Sequence, residues 1–397
     1  MMLGLLLARA GIHVAVLEKH KDFNRDFRGD TIHPATLQLL HELGFLEAFL
    51  KVPHQRITGL SAVVGDRPFP LVDFTHLPTA AKFIALMPQW DFLDFLAAQA
   101  RLFPSFTLLM QHQVTEVIED AGRTVGVRAQ TPDGPIEVRA ALTVGCDGRH
   151  AVTHTAAHLK IIERGVPIDV LWFRVSRQSA DPENALGYFN HETAAVLIDR
   201  NDYWQIAFLI RKGTFQALQS AGLEAFRTRL ASLVPFLATR GTDGQSRADE
   251  VTDFAQLKLL TVQINHLQRW HADGILCIGD AAHAMSPVGG IGINIAIQDA
   301  VAAANILTAP LRLSTLTQPL PERTLANVQR HRARAVRITQ FFQAVAHRIL
   351  LRALDNPGSL RAPLVLRALS GRPSFRRFMG RVVGMGVQPE PVKTSHF

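Results

Sequence analysis

One segment late in the chain, residues 274–300, restricts the fold and the function more than any other. It begins with an apolar run over residues 275–278, which predicts a buried strand, and the run stops at Gly279 and Asp280. In open α/β sheets, a carboxylate at the C-terminal end of a strand lies where ribose hydroxyls bind. The segment therefore predicts a strand end that binds a hydroxyl-rich ligand.

The same segment continues through a turn into a helix predicted to begin near Ile293. Glycines allow a ligand to approach the backbone closely. A helix start offers free N–H groups and the positive end of the helix dipole to an anionic group. These features suit a large cofactor with ribityl and ring oxygens. The turn contains three glycines: Gly289, Gly290 and Gly292.

The order of these residues resembles the second FAD fingerprint of the group A flavoprotein monooxygenases, the para-hydroxybenzoate hydroxylase-like family. That pattern is Gly-Asp, then Pro, then Gly-x-Gly-x-Asn, then Asp-Ala. A single glycine triplet would be much weaker, and an ordinary strand-turn-helix with incidental glycines is the alternative. The resemblance implies that FAD binds here. The matching residues are Gly279, Asp280, Pro287, Gly290, Gly292, Asn294, Asp299 and Ala300.

Two further positions match residues that contact the cofactor in the resembling family. Arg28 lies in the loop before a helix that is predicted to begin at Pro34, and the resemblance implies that it reaches toward the flavin. A surface loop arginine is the alternative. Gln89, at the start of another predicted helix, is expected to contact the cofactor.

Asp147 and Gly148 resemble the family's Asp-Gly motif, which borders both the FAD and the path of the reduced nicotinamide. The family usually continues with a serine and an arginine, where this chain has Ala151 and His154. We therefore expect the turn to be kept and the handling of NAD(P)H to differ.

The N-terminal residues predict the second half of a dinucleotide-binding βαβ unit. A buried helix over residues 1–10 ends at Gly11, a strand follows over residues 12–17, and Glu18 is placed to bind the adenosine ribose. The phosphate-binding glycines of such a unit lie about 20 residues before the acidic residue, which places them before Met1. We therefore expect that the recorded start is late or the chain truncated. As written, it is expected to be poorly stable and to bind FAD weakly.

The distribution of charge raises the question of nucleic-acid binding. The net charge is +8, and residues 323–352 contain seven arginines and no carboxylate. This segment has helical amphipathic spacing, so we favour a cationic helix packed on a domain over nucleic-acid or membrane binding. Its apolar residues are Ile338, Phe341, Phe342, Val345 and Ile349.

The two cysteines, Cys146 and Cys277, follow apolar runs and are expected to be buried strand residues, not a disulfide or a metal site. No His/Cys ligand spacing supports a metal. The N-terminal apolar run is too short to span a membrane. These features favour a cytoplasmic protein without a transmembrane segment.

The pattern between residues 165 and 260 changes to strands that are close enough to pair antiparallel. This resembles the family's substrate sheet. The expected fold is α/β: an FAD-binding Rossmann-like domain of the glutathione-reductase type, an interleaved antiparallel substrate domain, and C-terminal helices. Most aromatics here are expected to be sheet core rather than substrate walls. They are Trp172, Phe173, Phe189, Trp204 and Phe208.

The expected domains are discontinuous. The FAD-binding domain takes residues 1–60, 89–160 and 262–345. The substrate domain takes residues 61–88 and 161–261, and a helical segment takes residues 346–397.

The resemblance implies a hydroxylase in which NAD(P)H reduces FAD and O2 then adds to the flavin. The flavin hydroperoxide passes one oxygen to an apolar, aromatic small molecule. The protein supplies a dry pocket and backbone donors near residues 287–294. No catalytic base is assigned, although His283 and His191 are candidates. The sequence leaves open whether the protein forms a homodimer.

Three alternatives were weighed. The first is another flavoenzyme of this fold, a reductase or a halogenase, although residues 203–206 lack the halogenase pattern Trp-x-Trp-x-Ile-Pro. The second is a truncated, inactive homologue that keeps its motifs as remnants. A plain NAD-dependent dehydrogenase leaves Gly279 and Asp280 unexplained.

Overall fold

The structure is a computed structural model that describes residues 1–24, 31–65, 67–182, 186–190, 193–239, 246–354 and 364–394. Two residues of the sequence analysis, Arg28 and His191, lie outside the described residues.

The described helices are given in chain order. They are α1 (Met2–Arg9), α2 (Pro34–Glu42), α3 (Leu46–Phe49), α4 (Gln89–Ala100), α5 (Val152–Ala156), α6 (Phe215–Ser220), α7 (Leu223–Leu233), α8 (Pro235–Ala238), α9 (Gly292–Leu313), α10 (Glu322–Leu354), α11 (Leu364–Ser370) and α12 (Pro373–Met385).

The described strands fall into six hydrogen-bonded sheets. The strands are β1 (Val14–Glu18), β2 (Thr31–Ile32), β3 (Gln55–Ile57), β4 (Gly59–Val64), β5 (Arg67–Asp73), β6 (Ile84–Leu86), β7 (Phe106–Met110), β8 (Gln113–Asp120), β9 (Arg123–Thr131), β10 (Gly134–Arg139), β11 (Thr143–Gly145), β12 (Ile161–Arg164), β13 (Ile168–Ser176), β14 (Leu186–Asn190), β15 (Thr193–Asp199), β16 (Tyr203–Arg211), β17 (Lys258–Leu260), β18 (Ile264–Leu267), β19 (His271–Ala272) and β20 (Ile275–Cys277).

Parallel strand pairs mark the part of the molecule that carries the predicted cofactor residues. β1 pairs in parallel with β7, and β11 pairs in parallel with β20. Helix α1 is buried over residues 2–8 and packs against α9 and α4. Strands β8, β9 and β10 form a separate antiparallel sheet. The α/β fold class is confirmed.

A seven-stranded sheet forms the second part, in the order β17-β13-β16-β15-β14-β4-β5. Its neighbours are antiparallel except for β14 and β4. Because side chains alternate along a strand, the sheet has two faces. One, the helix face, packs under α6, α7 and α8. The other, the loop face, packs against Val288 and the end of α10.

The two faces divide the five aromatic residues that the sequence analysis considered. Phe173, Trp204 and Phe208 are fully buried on the helix face, where they form core. Trp172 and Phe189 are half-buried on the loop face. The expectation that most of them are sheet core is confirmed.

Two observations bear on the expected domain boundaries. Strand β6, expected with the substrate domain, pairs with β2 and β3. Helix α10 runs without interruption across the boundary expected between residues 345 and 346. The division of the chain into domains stays a prediction.

The packing of α10 differs from its sequence pattern. Four of its five predicted apolar-face residues are exposed, and from Thr339 onward the buried side chains of the helix are polar. The apolar spacing correctly predicted the helix but not the face that packs in this second half. The exposed residues are Phe341, Phe342, Val345 and Ile349; the buried ones from Thr339 onward are Thr339, Gln340, Gln343 and His347.

The cysteines also differ from one another. Both thiols are free, and Cys277 is buried in β20 as expected. The expectation that Cys146 is buried in a strand was wrong. Cys146 lies just beyond the end of β11, and it is exposed.

Among the described residues, α9 is the one helix that is long and apolar enough to cross a membrane. Its most apolar stretch of 18 residues is 67% buried inside the fold. Burial of this kind is typical of a core helix.

Candidate cofactor site

The end of β20 is held in place by a buried carboxylate. Gly279 adopts a left-handed conformation with φ of 59°, and its N–H donates to Asp299 Oδ2 at 3.2 Å. A Cβ at this position would lie 3.0 Å from the Ala296 Cβ, so the turn packs closely on α9. The next residue, Asp280, pairs with Arg149 and keeps 41% of its side chain exposed, so part of its carboxylate is accessible to a ligand.

The glycine-rich turn is shaped by a contact with β2. Gly289 and Gly290 have φ of 84° and 62°, a region that favours glycine. A Cβ on Gly290 would lie 2.4 Å from the Thr31 Oγ1, which instead donates to the Gly290 carbonyl oxygen at 2.9 Å. Thr31 therefore fixes the path of the turn, although the sequence analysis did not single it out.

The side chain of Asn294 is committed to the protein. Its Oδ1 accepts hydrogen bonds from the His33 N–H at 3.1 Å and from the Thr36 Oγ1 at 2.8 Å. Its Nδ2 donates to the carbonyl oxygens of Thr31 and Gly290, both at 3.3 Å. A contact from this position to a cofactor is therefore left to the backbone N–H, and the side chain positions the turn.

The start of α9 is open to an anionic ligand. The helix begins at Gly292, and no side chain caps its N-terminal residue Ile291. The N–H groups of an uncapped first turn need acceptors, and the helix dipole adds partial positive charge. Pro287 and Gly290 precede this start, so the predicted residues of this segment meet around one helix end.

A buried charge network lies behind the turn. Asp299 is fully buried and accepts from His283 Nε2 at 2.5 Å and from Arg332 Nε at 3.0 Å. Burial acts to raise the pKa of Asp299, but His283 and Arg332 outweigh it and the pKa is lowered. Arg332 also binds Glu390 Oε1 at 3.0 Å. His283, a candidate base, is 1% exposed and pairs with Asp299. We therefore interpret it as part of the buried charge network and not as a base.

Helix α10 holds the loop that leads to Pro287. Gln343 Oε1 accepts from the Ser286 N–H at 3.1 Å, and Gln343 Nε2 donates back to the Ser286 carbonyl at 2.9 Å. His347 Nε2 lies 2.7 Å from Ser286 Oγ. Gln340 Nε2 donates to the Asn265 carbonyl at 2.8 Å. These contacts explain why the buried face of α10 is polar. These three residues were not predicted from the sequence; the pattern that indicates them is the i, i+3, i+7 spacing of polar side chains.

The Asp147–Gly148 turn joins the same site through β11. Asp147 accepts from Thr153 twice, from Oγ1 at 2.6 Å and from N–H at 3.1 Å. Gly148 has φ of 86°. Arg149 Nε lies 3.6 Å from Asp280 Oδ2, so this turn and the end of β20 face each other. His154, where the family has an arginine, is buried.

The other two predicted residues approach from separate elements. Gln89 is the first residue of α4, half-buried, directly after β6 and so beside the Thr31 strand. Glu18 ends β1, where its Oε1 accepts from the His20 N–H at 3.0 Å. β1, which carries Glu18, and β11, which leads to Asp147, belong to different sheets.

The described residues fit FAD. Left-handed glycines leave space that a Cβ would fill, and an exposed carboxylate and an uncapped helix start offer an acceptor and donors. This set matches a ligand with hydroxyls and electron-rich ring oxygens.

Comparison with known proteins agrees with this geometry. A family model described as an FAD binding domain matches residues 1–335. The chain is 28% identical to 6-methylpretetramide 4-monooxygenase of Streptomyces rimosus over 390 residues, which cover 96% of this chain and 88% of that protein. It spans only 59% of 12-dehydrotetracycline 5-monooxygenase/anhydrotetracycline 6-monooxygenase of the same species, at 27% identity over 76% of this chain.

Solved structures show the same fold. PqsL of Pseudomonas aeruginosa in complex with 2-aminobenzoylacetate superposes with a TM-score of 0.72 at 22% identity, covering 89% of this chain and 96% of that one. The OxyS anhydrotetracycline hydroxylase of Streptomyces rimosus gives 0.73 at 22% identity, covering 98% and 74%.

The chain therefore belongs to the FAD-binding family of this model, and its class is that of the FAD-dependent aromatic monooxygenases. The predictions of family, FAD cofactor and oxidoreductase class are confirmed.

Proposed function

We propose that this chain hydroxylates a flat, polycyclic aromatic molecule, using FAD, NAD(P)H and O2. The proposal rests on one observation in particular, a shallow row of small residues across the loop face of the seven-stranded sheet. The names of the relatives, which act on tetracycline-type molecules, agree with a substrate of this shape.

The row crosses four neighbouring strands at one level. Trp172 on β13 lies opposite Ala207 on β16, which lies opposite Val196 on β15, which lies opposite Gly187 on β14. Opposite residues in a ladder project from the same face. Ala207, Val196 and Gly187 thus form an apolar surface, here called the floor, and the indole ring of Trp172 lies at one end of it.

The other end of this floor is set by Phe189. A Cβ on Gly187 would lie 2.8 Å from the Phe189 ring, so the missing side chain lets this ring lie over the strand. Val196 in the middle is 38% exposed. A flat aromatic molecule can therefore cover Val196 between Trp172 and Phe189, and stacking on aromatic rings favours such a ligand.

The floor faces the loop that bears the cofactor residues. Val288 packs against the same apolar cluster as Trp172 and Phe189. FAD, when bound, supplies the chemistry of accepting a hydride from NAD(P)H and activating O2 for insertion of one oxygen atom. The residues of this chain bind and orient the two partners: Asp280 and Arg149 on one side, the open α9 start on another, and the loop face opposite. No side chain is assigned as a catalytic base.

The test uses FAD-loaded protein with a panel of flat phenolic compounds of one to four rings. We expect NAD(P)H oxidation to be stimulated by the larger members, and one atom of ¹⁸O2 to appear in the product by mass spectrometry. NAD(P)H oxidation with no labelled product would identify a reductase instead and contradict the proposal.

A matched pair of variants locates the substrate. Val196→Phe fills the floor and is expected to abolish substrate stimulation while flavin absorbance is kept. Leu259→Phe adds the same ring to an exposed residue of the opposite face, since Leu259 pairs with Leu171, and is expected to behave as wild type. Equal effects of both variants would contradict a substrate on the loop face.

We also propose a cytoplasmic location, since both thiols are free, as in reducing compartments.

A homodimer is proposed through the exposed side chains of α10, which association would bury. Sedimentation velocity of wild type and of a Phe341→Ser/Ile349→Ser double variant would measure it; a monomeric wild type would contradict it.

A further inference from the structure

A cavity of about 410 Å³ lies outside the cofactor residues, between β12, β18 and α10. Its floor is apolar and its rim is cationic. The apolar residues are Val166, Pro167, Ile264 and Ala344; the others named below are Arg164, Arg348, His347 and Gln340.

Regular secondary structure brings the polar residues together. Gln340, Ala344, His347 and Arg348 follow the i, i+4, i+7, i+8 spacing that puts side chains on one side of a helix. Arg164 lies opposite Ile264 in the antiparallel ladder of β12 and β18, so both project from the same face. Two rigid elements thus present arginines to one cavity.

The positive charge of this cavity is not neutralised within the described residues. No ion pair joins Arg164 or Arg348 to a carboxylate in that part of the chain. The neighbouring His266 responds to the charge: burial lowers its pKa, and Arg164 and Arg337 lower it further. An anion would relieve this repulsion.

The wall also contains an acceptor that lacks a donor. Gln340 is fully buried, and its Oε1 has no hydrogen-bond partner among the described residues. Buried polar atoms are normally paired, so this oxygen is an unmet acceptor close to the cavity. The cavity itself suits an anionic group on a molecule that also has an apolar surface.

We propose that this cavity binds the phosphate group of a nucleotide between Arg164 and Arg348. Guanidinium groups pair well with phosphate oxygens, and the apolar floor gives the rest of the ligand a surface. The phosphate site stands by itself, whereas its assignment to the pyridine nucleotide rests on the proposed function.

The position of the cavity connects it to the cofactor loop. His347 forms part of the wall, and its Nε2 contacts Ser286, which precedes Pro287. A phosphate in the cavity therefore lies one side chain away from the loop that leads to the glycine-rich turn.

Calorimetric titration of the FAD-loaded enzyme tests the proposal with NADP⁺, NAD⁺ and inorganic phosphate as separate ligands. Arg164→Gln and Arg348→Gln are each expected to weaken binding of NADP⁺ and phosphate about tenfold, the effect of losing one charge-assisted contact. Arg334→Gln removes the same charge from an exposed residue of α10 outside the cavity, and is expected to bind as wild type.

Each outcome decides something. Competition between phosphate and NADP⁺, lost in both cavity variants, supports the nucleotide. Phosphate binding that is lost in the variants without such competition supports a phosphate site filled by free phosphate. No binding, or equal binding by all variants, overturns the site. Flavin absorbance and ¹⁸O incorporation are followed separately, so failure of the hydroxylation proposal would leave these binding results intact.

Discussion

At the residue scale, Gly290 combines two constraints at one position. Its φ of 62° disfavours any side chain, and a Cβ would also press on Thr31. We expect Gly290→Ala to destabilise the fold by about 1–3 kcal/mol and to weaken FAD binding more than tenfold. Urea unfolding and flavin fluorescence titration measure the two effects.

The control for this variant is Gly122→Ala. Gly122 has φ of 79°, but a Cβ there has open space within 4 Å. It carries the same backbone cost without the contact, so the difference between the two variants isolates Thr31. Equal FAD affinity in both would contradict the role assigned to Thr31.

His33 makes stability depend on pH. Burial lowers the pKa of His33 to about 4, against 6.5 in an unfolded chain, although its bond to the Val383 carbonyl acts to raise it. Between pH 6.5 and pH 4, His33 is protonated in the unfolded chain but stays neutral in the folded one. Protonation therefore favours the unfolded chain, and the stability present above pH 6.5 is lost as the pH falls toward 4. The loss amounts to about 3 kcal/mol.

His33→Asn keeps a donor for Val383 at the position of Nδ1 and removes the titration. Urea unfolding at pH 7 and pH 5 is expected to show a smaller acid loss in this variant than in wild type. An identical loss in both proteins would show that His33 does not titrate in this range.

At the element scale, α12 docks on the substrate sheet through two glycines. A Cβ on Gly380 would lie 1.9 Å from the Asp73 carbonyl oxygen, and one on Gly384 would lie 2.7 Å from Leu77. We expect Gly380→Ala to displace α12 from β5, because the obstacle is backbone. Hydrogen exchange of residues 373–385 would rise, and the free energy of unfolding would fall by about 1–3 kcal/mol.

Gly371→Ala serves as the comparison, since a Cβ on Gly371 would lie 3.9 Å from its nearest neighbour, the Arg367 carbonyl oxygen. It is expected to leave exchange in α12 unchanged. Faster exchange in both variants would mean that general loosening of the C-terminal helices, not the contact with Asp73, is responsible.

The same scale shows where sequence patterns succeed and fail. Hydrophobic spacing predicted a helix within residues 323–352 and antiparallel strands between residues 165 and 260, and the structure has both. It did not indicate β4 and β5, which complete the same sheet. It chose the wrong face of α10, because Gln340, Gln343 and His347 satisfy loop groups that only the folded chain brings near. Periodicity measures where apolar residues recur, whereas packing also rewards buried hydrogen bonds.

At the scale of the whole molecule, the seven-stranded sheet has the buried aromatic core on its helix face and the proposed substrate surface on its loop face. Phe208 is fully buried on the helix face, so Phe208→Ala is expected to cost about 3–5 kcal/mol. Phe189→Ala, on the loop face, is expected to cost less stability and to raise the KM for the aromatic substrate about tenfold, by loss of ring contact.

Thermal melts and steady-state kinetics of the two variants decide this point. A KM change in Phe208→Ala without loss of stability would reverse the assignment of the faces.

The sequence by itself determined the family, the α/β class and the strand-turn-helix at residues 275–313, because these depend on local constraints: glycine conformations, strand alternation and residues at fixed spacing. Only the tertiary structure decided which groups meet. It committed the Asn294 side chain to Thr31, His33 and Thr36, buried Asp299 between His283 and Arg332, and brought Arg164 and Arg348 to the wall of one cavity. Those partners lie tens to hundreds of residues apart, and their contacts arise from the packing of whole elements, which local pattern does not encode.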